Sequence, residues 1–483
     1  MAQNLTLLQI NDTHGYLEPH PELVWEPDGR PHHVTLGGYA RLATLFRRAR
    51  EQNPGRVVVL DNGDTLHGTF AAVHSKGEAL VEPLNALGID AMTAHWEFAW
   101  GGEHLRYLAT RLRHPLLAIN CYEEGTGRLA FPPSTMLERD GIRIGVIGIA
   151  ATIVDKTMPP HFSKGLRFTL GEEELPQHIS RLRDEGAALV VVLSHLGMPQ
   201  DVKLAGRVPG IDILLSGHTH NRLAEPIHAG GAVVIQSGCH GSFVGRLDLE
   251  VAPGGGLAGF AHRLVMVDDG IPADPAMQGL VHGILAPHRE MLGRVVGRTR
   301  DGLDRTTMLE ASMDTLLLRA IAEAAGTSVA FSNGWRYGAP IPPGPLTMND
   351  LWNIIPSNPP VSTVELTGAE MRAMLEENLE RTFAADPYAQ MGGYAKRCLG
   401  LQLAVKIENP PGHRIDRAFA EGAPLDPERR YRVAYVTAQG VPARYGRDRR
   451  DLPIRAIDAL ERYLTSAGPE GVKVELPALI TAV

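Results

Sequence analysis

Short apolar runs alternate with amphipathic stretches along the first half of the chain, as far as about residue 250. The apolar runs have the length of strands, and they are LTLLQI (5–10), VVVL (57–60), DAMTAH (90–95), LLAIN, IRIGVIGIA (142–150), LVVVLSH (189–195), IDILLSGHTH and VVIQSG. Between them, apolar residues recur at helical spacing over 38–50, 77–87 and 171–185. Strands that alternate with helices predict a layered α/β fold, in which ligand sites form beyond the carboxyl ends of the strands.

The alternation lapses around residues 266–295, where the polar segment VDDGIPADPAMQ precedes an isolated helical stretch, VHGILAPHREML. Beyond it the pattern predicts a helix near 308–324, a helix over 367–381, and strands at VAFSN, LQLAVKI and YRVAYVT. This second series is typical of an α+β domain of ordinary size. We therefore divide the chain into a domain over 1–267, a linker helix over 268–295 and a C-terminal domain over 296–483.

Composition and charge exclude several classes of protein. The chain has 483 residues, of which 44% are hydrophobic and 21% charged, so it is long enough to bury two separate cores. Its net charge is −8 and it has no run of Lys and Arg that could follow a phosphate backbone, which argues against a nucleic acid polymer as a partner. The 3 cysteines are far apart in the sequence and indicate neither a disulfide framework nor a cysteine-based zinc motif.

Membrane and targeting signals are also missing from the sequence. No stretch approaches the roughly 18 consecutive apolar residues of a transmembrane helix, so we expect no membrane span. The segment MAQNLTLLQI at 1–10 has neither a basic n-region nor a cleavage site. We therefore expect a cytoplasmic protein if residue 1 is the native start, and a periplasmic one if a leader has been removed before it.

Acidic and histidine side chains follow the ends of several predicted strands. They are Asp12 and His14 in NDTHG, Asp64 in NGDT, His195 in SH, and His218 and His220 in GHTH. The D-x-H and H-x-H spacings would point both side chains of a pair to the same side of an extended segment. A single Asp-x-His is more often a capped turn, but six such residues beside Gly or Ser at strand ends predict a metal site. Carboxylate and imidazole together suit Mn, Fe or Zn rather than Ca.

In this order, and together with the segment at 94–98, these fragments resemble the motifs of the calcineurin-like metallophosphoesterases. The C-terminal half resembles the C-terminal domain of 5′-nucleotidases. The resemblance implies a four-layer α/β domain, an α+β domain that closes over its site, and two divalent ions, of which manganese is favoured over zinc or iron. It also implies two ligand sets that share Asp64, which are Asp12, His14, Asp64 and His220 for one ion, and Asp64, His95, His195 and His218 for the other. His67 and His240 lie near the same fragments, and we expect them to support the ligands or to face solvent.

The segment AHWEFA at 94–99 departs from the nucleotidase pattern. Nucleotidases of this family carry G-N-H-E-F-D, in which the Asn binds metal and the His, held by the final Asp, assists at the transition state. Here His95 stands in place of the Asn and can still bind a metal, but Trp96 replaces the catalytic His and Ala99 replaces its Asp partner. An indole N–H donates a hydrogen bond and cannot exchange a proton near neutral pH. We therefore expect Trp96 to shape the pocket and to donate one hydrogen bond.

The H-W-E-F tetrapeptide resembles the SoxB-type sulfate thiohydrolases of sulfur oxidation more than it does the nucleotidases. The similarity extends to LSHLGMPQDVKLAGRVPGIDILLSGHTH, FSNGWRYG (331–338) and DPYAQMGGYAKR (386–397). It implies hydrolysis of an S-sulfonate carried on a cysteine of a carrier protein, with release of sulfate by water activated at a manganese pair. A sulfur leaving group needs little protonation, which is consistent with the loss of the dyad. The chain departs from this family in three places, since it lacks the leader, lacks a longer segment after D-x-H, and has Tyr394 where the family has Asp.

The second domain contains the residues expected to bind the substrate. Asn333 and Arg336 resemble the Asn and Arg of the nucleotidase substrate-binding element, and Arg397 aligns with a basic position of the SoxB pattern. A planar guanidinium can hold a tetrahedral oxyanion with two hydrogen bonds, so both arginines are predicted to bind a small anionic group. Tyr388 and Tyr394 are predicted to lie at the substrate entrance. Two alternatives remain open, a 5′-nucleotidase or phosphomonoesterase and a non-catalytic metal-binding homologue.

Overall fold

The protein is described by a computed structural model, which covers residues 3–476 and 479–483. The chain divides into two compact units. The first consists of Met1–Glu26 and Val34–Pro287, and the second of Pro27–His33 and His288–Val483. No helix of the described ranges has both the length and the apolar character needed to cross a membrane.

Strands and helices alternate up to Pro287. The strands are β1 (Gln3–Ile10), β2 (His20–Trp25), β3 (Pro31–Leu36), β4 (Val57–Asp61), β5 (Ala91–Met92), β6 (Cys121–Glu123), β7 (Ser134–Arg139), β8 (Ile142–Ile149), β9 (Leu166–Phe168), β10 (Leu189–Ser194), β11 (Ile213–Leu215), β12 (Ile227–Ala229), β13 (Ala232–Ile235), β14 (Phe243–Val251) and β15 (Leu257–Met266). The helices are α1 (Tyr39–Gln52), α2 (Phe70–His74), α3 (Glu78–Leu87), α4 (Gly102–Arg111), α5 (Leu175–Asp184), α6 (Met198–Arg207) and α7 (Pro275–Leu285).

Two sheets pack face to face in the first unit. Their strand orders are β15-β14-β1-β4-β5 and β12-β13-β11-β10-β8-β7. In β10, Leu189, Val191 and Leu193 enter the core between the sheets, whereas Val190 and Val192 enter the core on the outer face of their own sheet. Because both faces of such a strand are buried, its sequence is apolar throughout and does not alternate with polar residues.

Helices cover the outer faces of both sheets. Helix α1 contacts β4 of the first sheet, and α5 and α6 contact β8, β10, β12 and β13 of the second. The predicted four-layer α/β architecture is therefore confirmed, and it brings the carboxyl ends of β1, β4, β10 and β11 to one edge of the unit.

The second unit is an α+β domain, as predicted. Its strands are β16 (Val295–Thr299), β17 (Val329–Ser332), β18 (Gly344–Thr347), β19 (Pro360–Thr367), β20 (Arg397–Leu399), β21 (Leu401–Val405), β22 (Ile415–Ala420), β23 (Ala423–Pro424), β24 (Arg430–Tyr435), β25 (Arg447–Arg455) and β26 (Ile480–Ala482). Its helices are α8 (Arg289–Gly293), α9 (Ser312–Ala325), α10 (Met348–Ile354), α11 (Gly368–Phe383), α12 (Thr437–Gly440) and α13 (Ala456–Ser466). One sheet runs in the order β20-β17-β24-β19-β25, and α11 begins at a capping box between Thr367 and Glu370.

The stretch predicted as a linker helix, 268–295, is not one continuous helix. Helix α7 ends at Leu285, a 3₁₀ turn covers Ala286–His288, and α8 begins at Arg289. Pro287 lies in that turn, and a proline inside a helix removes one backbone donor and clashes with the preceding turn. The boundary between the two units, Pro287/His288, falls at the same point.

Candidate metal centre

The ligands predicted from the sequence meet where the strands of both sheets end. Asp12 and His14 follow β1, Asp64 follows β4, His95 follows β5, His195 follows β10, and His218 and His220 follow β11. They form two groups, and within each group the ligand atoms lie within 4.8 Å of one another. The Asp64 group contains Asp64, His95, His195 and His218, and the Asp12 group contains Asp12, His14 and His220.

Asp64 lies between the two groups. Its Oδ2 atom is 3.0 Å from His95 Nδ1, 3.2 Å from His195 Nε2 and 3.9 Å from His14 Nε2. In the Asp12 group, Asp12 Oδ1 is 3.2 Å from His220 Nε2. The carboxylate of Asp64 therefore reaches ligands of both groups, which is the position that a bridging ligand requires.

The backbone of the ligand loops differs from the extended geometry that we predicted for D-x-H and H-x-H. Asp12, His14 and Asp64 have φ values of 51°, 47° and 55°, and His218 and His220 have values of 70° and 59°. These residues are in the left-handed region, which is uncommon for residues other than Gly and often marks functional sites. Asp12 and His14 thus meet in one group through sharp turns and not through the two-residue period of a strand, whereas His218 and His220 belong to different groups.

Glu97 fixes the loop that carries the Asp64 group. Its carboxylate accepts hydrogen bonds from the backbone N–H groups of Thr65, Leu66, Asp64 and His95, at 2.6, 3.1, 3.3 and 2.7 Å. The backbone N–H of Trp96 donates to Asp64 Oδ1 at 2.8 Å. The AHWEF motif predicts a metal-binding segment but gives no role to Glu97, because the partners of Glu97 are visible only in the folded chain.

Two further buried residues support His195 and His218. The side-chain amide of Asn62 donates to the backbone carbonyl groups of Ser194 and Leu215 at 2.8 and 2.7 Å. The backbone carbonyl of Asn62 lies 2.6 Å from His195 Nδ1. Asp201 accepts hydrogen bonds from the hydroxyl groups of Ser194 and Ser216, both at 2.6 Å. The sequence offered a signal for Asn62, which belongs to the NGDT motif, and none for Asp201.

The electrostatics of the cluster favour a cation. Burial alone would raise the pKa of Asp12, but His220 and His195 hold it below its ordinary value. Burial is likewise outweighed at Asp64, where His95 and His195 hold the pKa well below its ordinary value. Against its own burial, His195 has its pKa raised to about 10 by Asp64 and Asp12. A bound cation must displace that proton, so its affinity is expected to rise with pH.

The donor set fits a pair of divalent ions. Nε2 of His95 is buried without a hydrogen-bond partner in the part of the chain that the structure describes. Buried polar atoms normally have such partners, and a metal ion would supply one. Imidazole and carboxylate donors suit Zn, Mn or Fe.

Trp96 lies at the edge of the Asp64 group, in a 3₁₀ turn over Trp96–Trp100. Its indole stacks on the ring of His67 at a centroid distance of 4.6 Å and an interplanar angle of 24°, and it meets Phe162 edge to face at 5.7 Å. His67 is buried, and its carbonyl lies 3.1 Å from His14 Nδ1. His67 therefore supports a ligand, and Ala99 leaves this segment without the acidic partner of a dyad.

In the second unit, the loop that carries Asn333 and Arg336 contacts helix α12 and the loop at Gly393. Asn333 accepts a hydrogen bond from the hydroxyl of Thr437 at 3.1 Å, and Arg336 donates to the carbonyl of Gly393 at 3.0 Å. The Arg336 guanidinium lies 5.5 Å from the centroid of the Tyr394 ring. Tyr388 lies in a separate 3₁₀ turn, Pro387–Ala389, which Asp386 caps.

The surroundings of Arg397 do not favour the anion-binding role that we predicted for it. Its side chain is buried, Nε donates to Asp314 at 3.1 Å, and the two terminal nitrogens donate to the carbonyl groups of Met308 and Thr307 at 3.1 and 2.8 Å. With all three nitrogens engaged, the guanidinium holds the chain around Thr307 in place. Sequence alone places a basic residue here but not its partners, which come from a distant segment.

Comparison with known proteins agrees with the two-unit architecture. Residues 5–222 match the calcineurin-like phosphoesterase family, and residues 295–438 match the 5′-nucleotidase, C-terminal domain family. Snake venom 5′-nucleotidase from Naja atra is 24% identical and aligns with 89% of this chain and 88% of its own length.

Two solved structures from Thermus thermophilus are similar to nearly the whole chain. Sulfate thiohydrolase SoxB superposes with a TM-score of 0.91 at 28% identity, covering 99% of this chain and 96% of that one. A 5′-nucleotidase precursor superposes with a TM-score of 0.87 at 24% identity, covering 100% and 99%, and shows the shared fold. The chain is thus a calcineurin-like metallophosphoesterase with a 5′-nucleotidase C-terminal domain. Within that class it is a metal-dependent hydrolase of the 5′-nucleotidase/SoxB family.

Proposed function

We propose that this protein is a SoxB-like sulfate thiohydrolase, which hydrolyses a thiol-bound sulfonate to sulfate and the free thiol. The observation that carries the proposal is the pair Trp96 and Ala99, which replaces the proton-handling dyad of the nucleotidases. The 28% identity with SoxB from Thermus thermophilus over 99% of this chain supports it. Manganese and a carrier protein that presents the sulfonate on a cysteine belong to the same proposal.

The leaving group explains why the dyad is dispensable. In R–S–SO₃⁻ the oxygen of water bonds to the sulfonate sulfur, the S–S bond breaks, and the thiolate leaves with the electron pair. A cysteine thiol has a pKa of about 8.5, far below that of an alcohol, so its thiolate leaves without a proton from the enzyme. General acid catalysis contributes about 10²- to 10⁴-fold where the leaving group is poor, and less where it is good.

The residues of the centre hold and orient what the reaction needs. When bound, two divalent cations supply Lewis acidity and activate water near neutral pH. Trp96 fixes Asp64 through its backbone N–H, and its ring forms with His67 an aromatic wall beside His95. In the second unit, Arg336 carries a guanidinium of the kind that binds phosphate and sulfonate equally. We therefore propose that substrate selection depends on Trp96 and not on the arginine.

The second candidate function is a 5′-nucleotidase or phosphomonoesterase. It is favoured by the match of residues 295–438 to the 5′-nucleotidase C-terminal domain and by the names of its relatives, such as the venom enzyme. A non-catalytic homologue that only binds metals is the third, and only the missing dyad suggests it.

One experiment separates the three. The purified protein is loaded with Mn²⁺, and sulfate release from a peptide with a cysteine S-sulfonate is compared with phosphate release from AMP and p-nitrophenyl phosphate. The metal-free protein is the control. We expect sulfate release to exceed phosphate release from AMP. Efficient AMP hydrolysis without sulfate release would refute the proposal, and two bound metals without turnover of either substrate would favour the third candidate.

A further inference from the structure

A third buried cluster lies outside both ligand groups and against one of them. It consists of Glu22, Cys239 and His240, whose exposed fractions are 1%, 7% and 3%. Glu22 is in β2, and His240 is in the turn between β13 and β14. We propose that Glu22 and His240 form a pair that positions the Asp12 group and sets the metal affinity of that group without affecting the Asp64 group.

His240 contacts the Asp12 group directly. Its backbone N–H donates to the carbonyl of Asp12 at 2.7 Å. Its ring lies 6.0 Å from the ring of His14 and 6.0 Å from the ring of His220, centroid to centroid. The turn that carries His240 therefore holds the main chain of one ligand while its imidazole packs beside the other two.

Glu22 determines where His240 can lie. Its Oε2 atom is 3.3 Å from His240 Nδ1 and accepts a hydrogen bond from the Ser242 hydroxyl at 3.1 Å. Arg222 lies 2.8 Å from the other carboxylate oxygen. Burial would raise the pKa of Glu22, but His240 and Arg222 lower it to about 2, so the carboxylate is ionised at neutral pH. A carboxylate behind a histidine fixes the orientation of the ring, as it does behind histidines that bind metals.

The cluster is better suited to this role than to binding a third ion. Arg222 already places a positive charge beside Glu22. Burial raises the pKa of the Cys239 thiol well above its ordinary value, so the sulfur stays protonated. Its Sγ atom lies 3.4 Å from His240 Nδ1, which also faces Glu22. The Cys239 sulfur and the Glu22 carboxylate thus both contact Nδ1 of His240.

The Asp64 group has a separate support, which provides a matched control. Asp201 holds Ser194 and Ser216, the residues next to His195 and close before His218. Asp201 is fully buried, as Glu22 is, and both are carboxylates that accept hydrogen bonds from serine hydroxyl groups. Replacement of either carboxylate by the matching amide is therefore a comparable change behind a different ligand group.

The test is a titration of the metal-free protein with Mn²⁺. Binding is measured by calorimetry and by the electron paramagnetic resonance signal of the bound ions. We expect the wild-type protein to bind two ions. Glu22→Gln should lower the affinity for one of them by about tenfold or more, as the loss of such a supporting residue typically does. In a His220→Ala background, the Asp12 group has lost one of its ligands. There, Glu22→Gln should leave the affinity for the ion in the Asp64 group unchanged. Asp201→Asn should still lower the affinity for that ion.

Other results would overturn the proposal. One is that Glu22→Gln binds both ions as tightly as wild type, and another is that it lowers the affinity for both ions equally. A third is that the wild-type protein binds three ions and Cys239→Ala loses one of them. If Glu22→Gln does not fold, Ser242→Ala removes one hydrogen bond from the same carboxylate and should shift the same site by a smaller factor. The titration contains no substrate, so its outcome is independent of whether the enzyme releases sulfate or phosphate.

Discussion

Glu97 shows how much a single buried side chain contributes to this centre. One carboxylate accepts from four backbone N–H groups, two of which belong to Asp64 and His95. Hydrogen bonds to a charged acceptor are stronger than neutral ones, and a buried donor left without its acceptor is costly. The ligand loop therefore depends on a residue that binds no metal in the proposed arrangement.

Glu97→Gln should destabilise the protein and weaken metal binding. The amide keeps one acceptor oxygen but turns an NH₂ group toward backbone donors, so we expect a loss on the order of 2 kcal/mol in the free energy of unfolding. Thermal unfolding of the metal-free protein measures it. The exposed Glu103, at the start of α4, is the control, because Glu103→Gln should change the melting temperature little. Equal effects of the two substitutions would contradict the role of Glu97.

Restoring the dyad should restore phosphatase chemistry. The double substitution Trp96→His, Ala99→Asp places an imidazole and its carboxylate in the AHWEF segment, and we expect AMP hydrolysis to rise by up to about 10²-fold. The gain should be smaller for p-nitrophenyl phosphate, whose leaving group needs less help. Trp96→His alone should gain less than the pair. A double variant that binds both metals and folds normally, yet hydrolyses AMP no faster, would count against the dyad argument.

At the scale of elements, Lys396 links β20 and the loop before it to helix α12. Its Nζ donates to the carbonyl groups of Gln439 and Gly440 at 2.6 and 3.0 Å. Burial lowers the pKa of this lysine to about 8. The same helix begins at Thr437, whose hydroxyl donates to Asn333, so Lys396 supports the loop of a predicted substrate residue.

The buried lysine should make stability depend on pH. Between about pH 8 and the ordinary lysine pKa of about 10.4, the folded protein has lost the proton while the unfolded chain still binds it, so the free energy of unfolding rises with pH in this window. Across this pH window, we expect the free energy of unfolding of the wild-type protein to rise by about 2 kcal/mol more than that of Lys396→Met. Urea unfolding at several pH values measures the difference. Parallel curves for the two proteins would show that the charge is not buried in solution.

At the scale of the whole molecule, metal binding should be linked to folding. The unfolded chain has no preformed site, so a free ion at about 100 times its dissociation constant adds about 2.7 kcal/mol for each site. We expect chelation to lower the melting temperature and Mn²⁺ to restore it. Asp64→Ala should remove most of the restoration, because Asp64 contacts both groups, whereas His14→Ala should remove only part. A full Mn²⁺ response in Asp64→Ala would contradict the bridging position.

The sequence by itself determined the layered fold, the position of each ligand after a strand, and the residue types of the metal centre. These features are local, since strand and helix periodicity and the motifs depend on neighbours in the chain. The tertiary structure alone decided which side chains hold the ligands. Glu22 and His240 are 218 positions apart, and Arg397 and Asp314 are 83 apart. Partners at such separations follow from strand order and loop geometry, because a buried polar group is satisfied by whatever the fold places beside it.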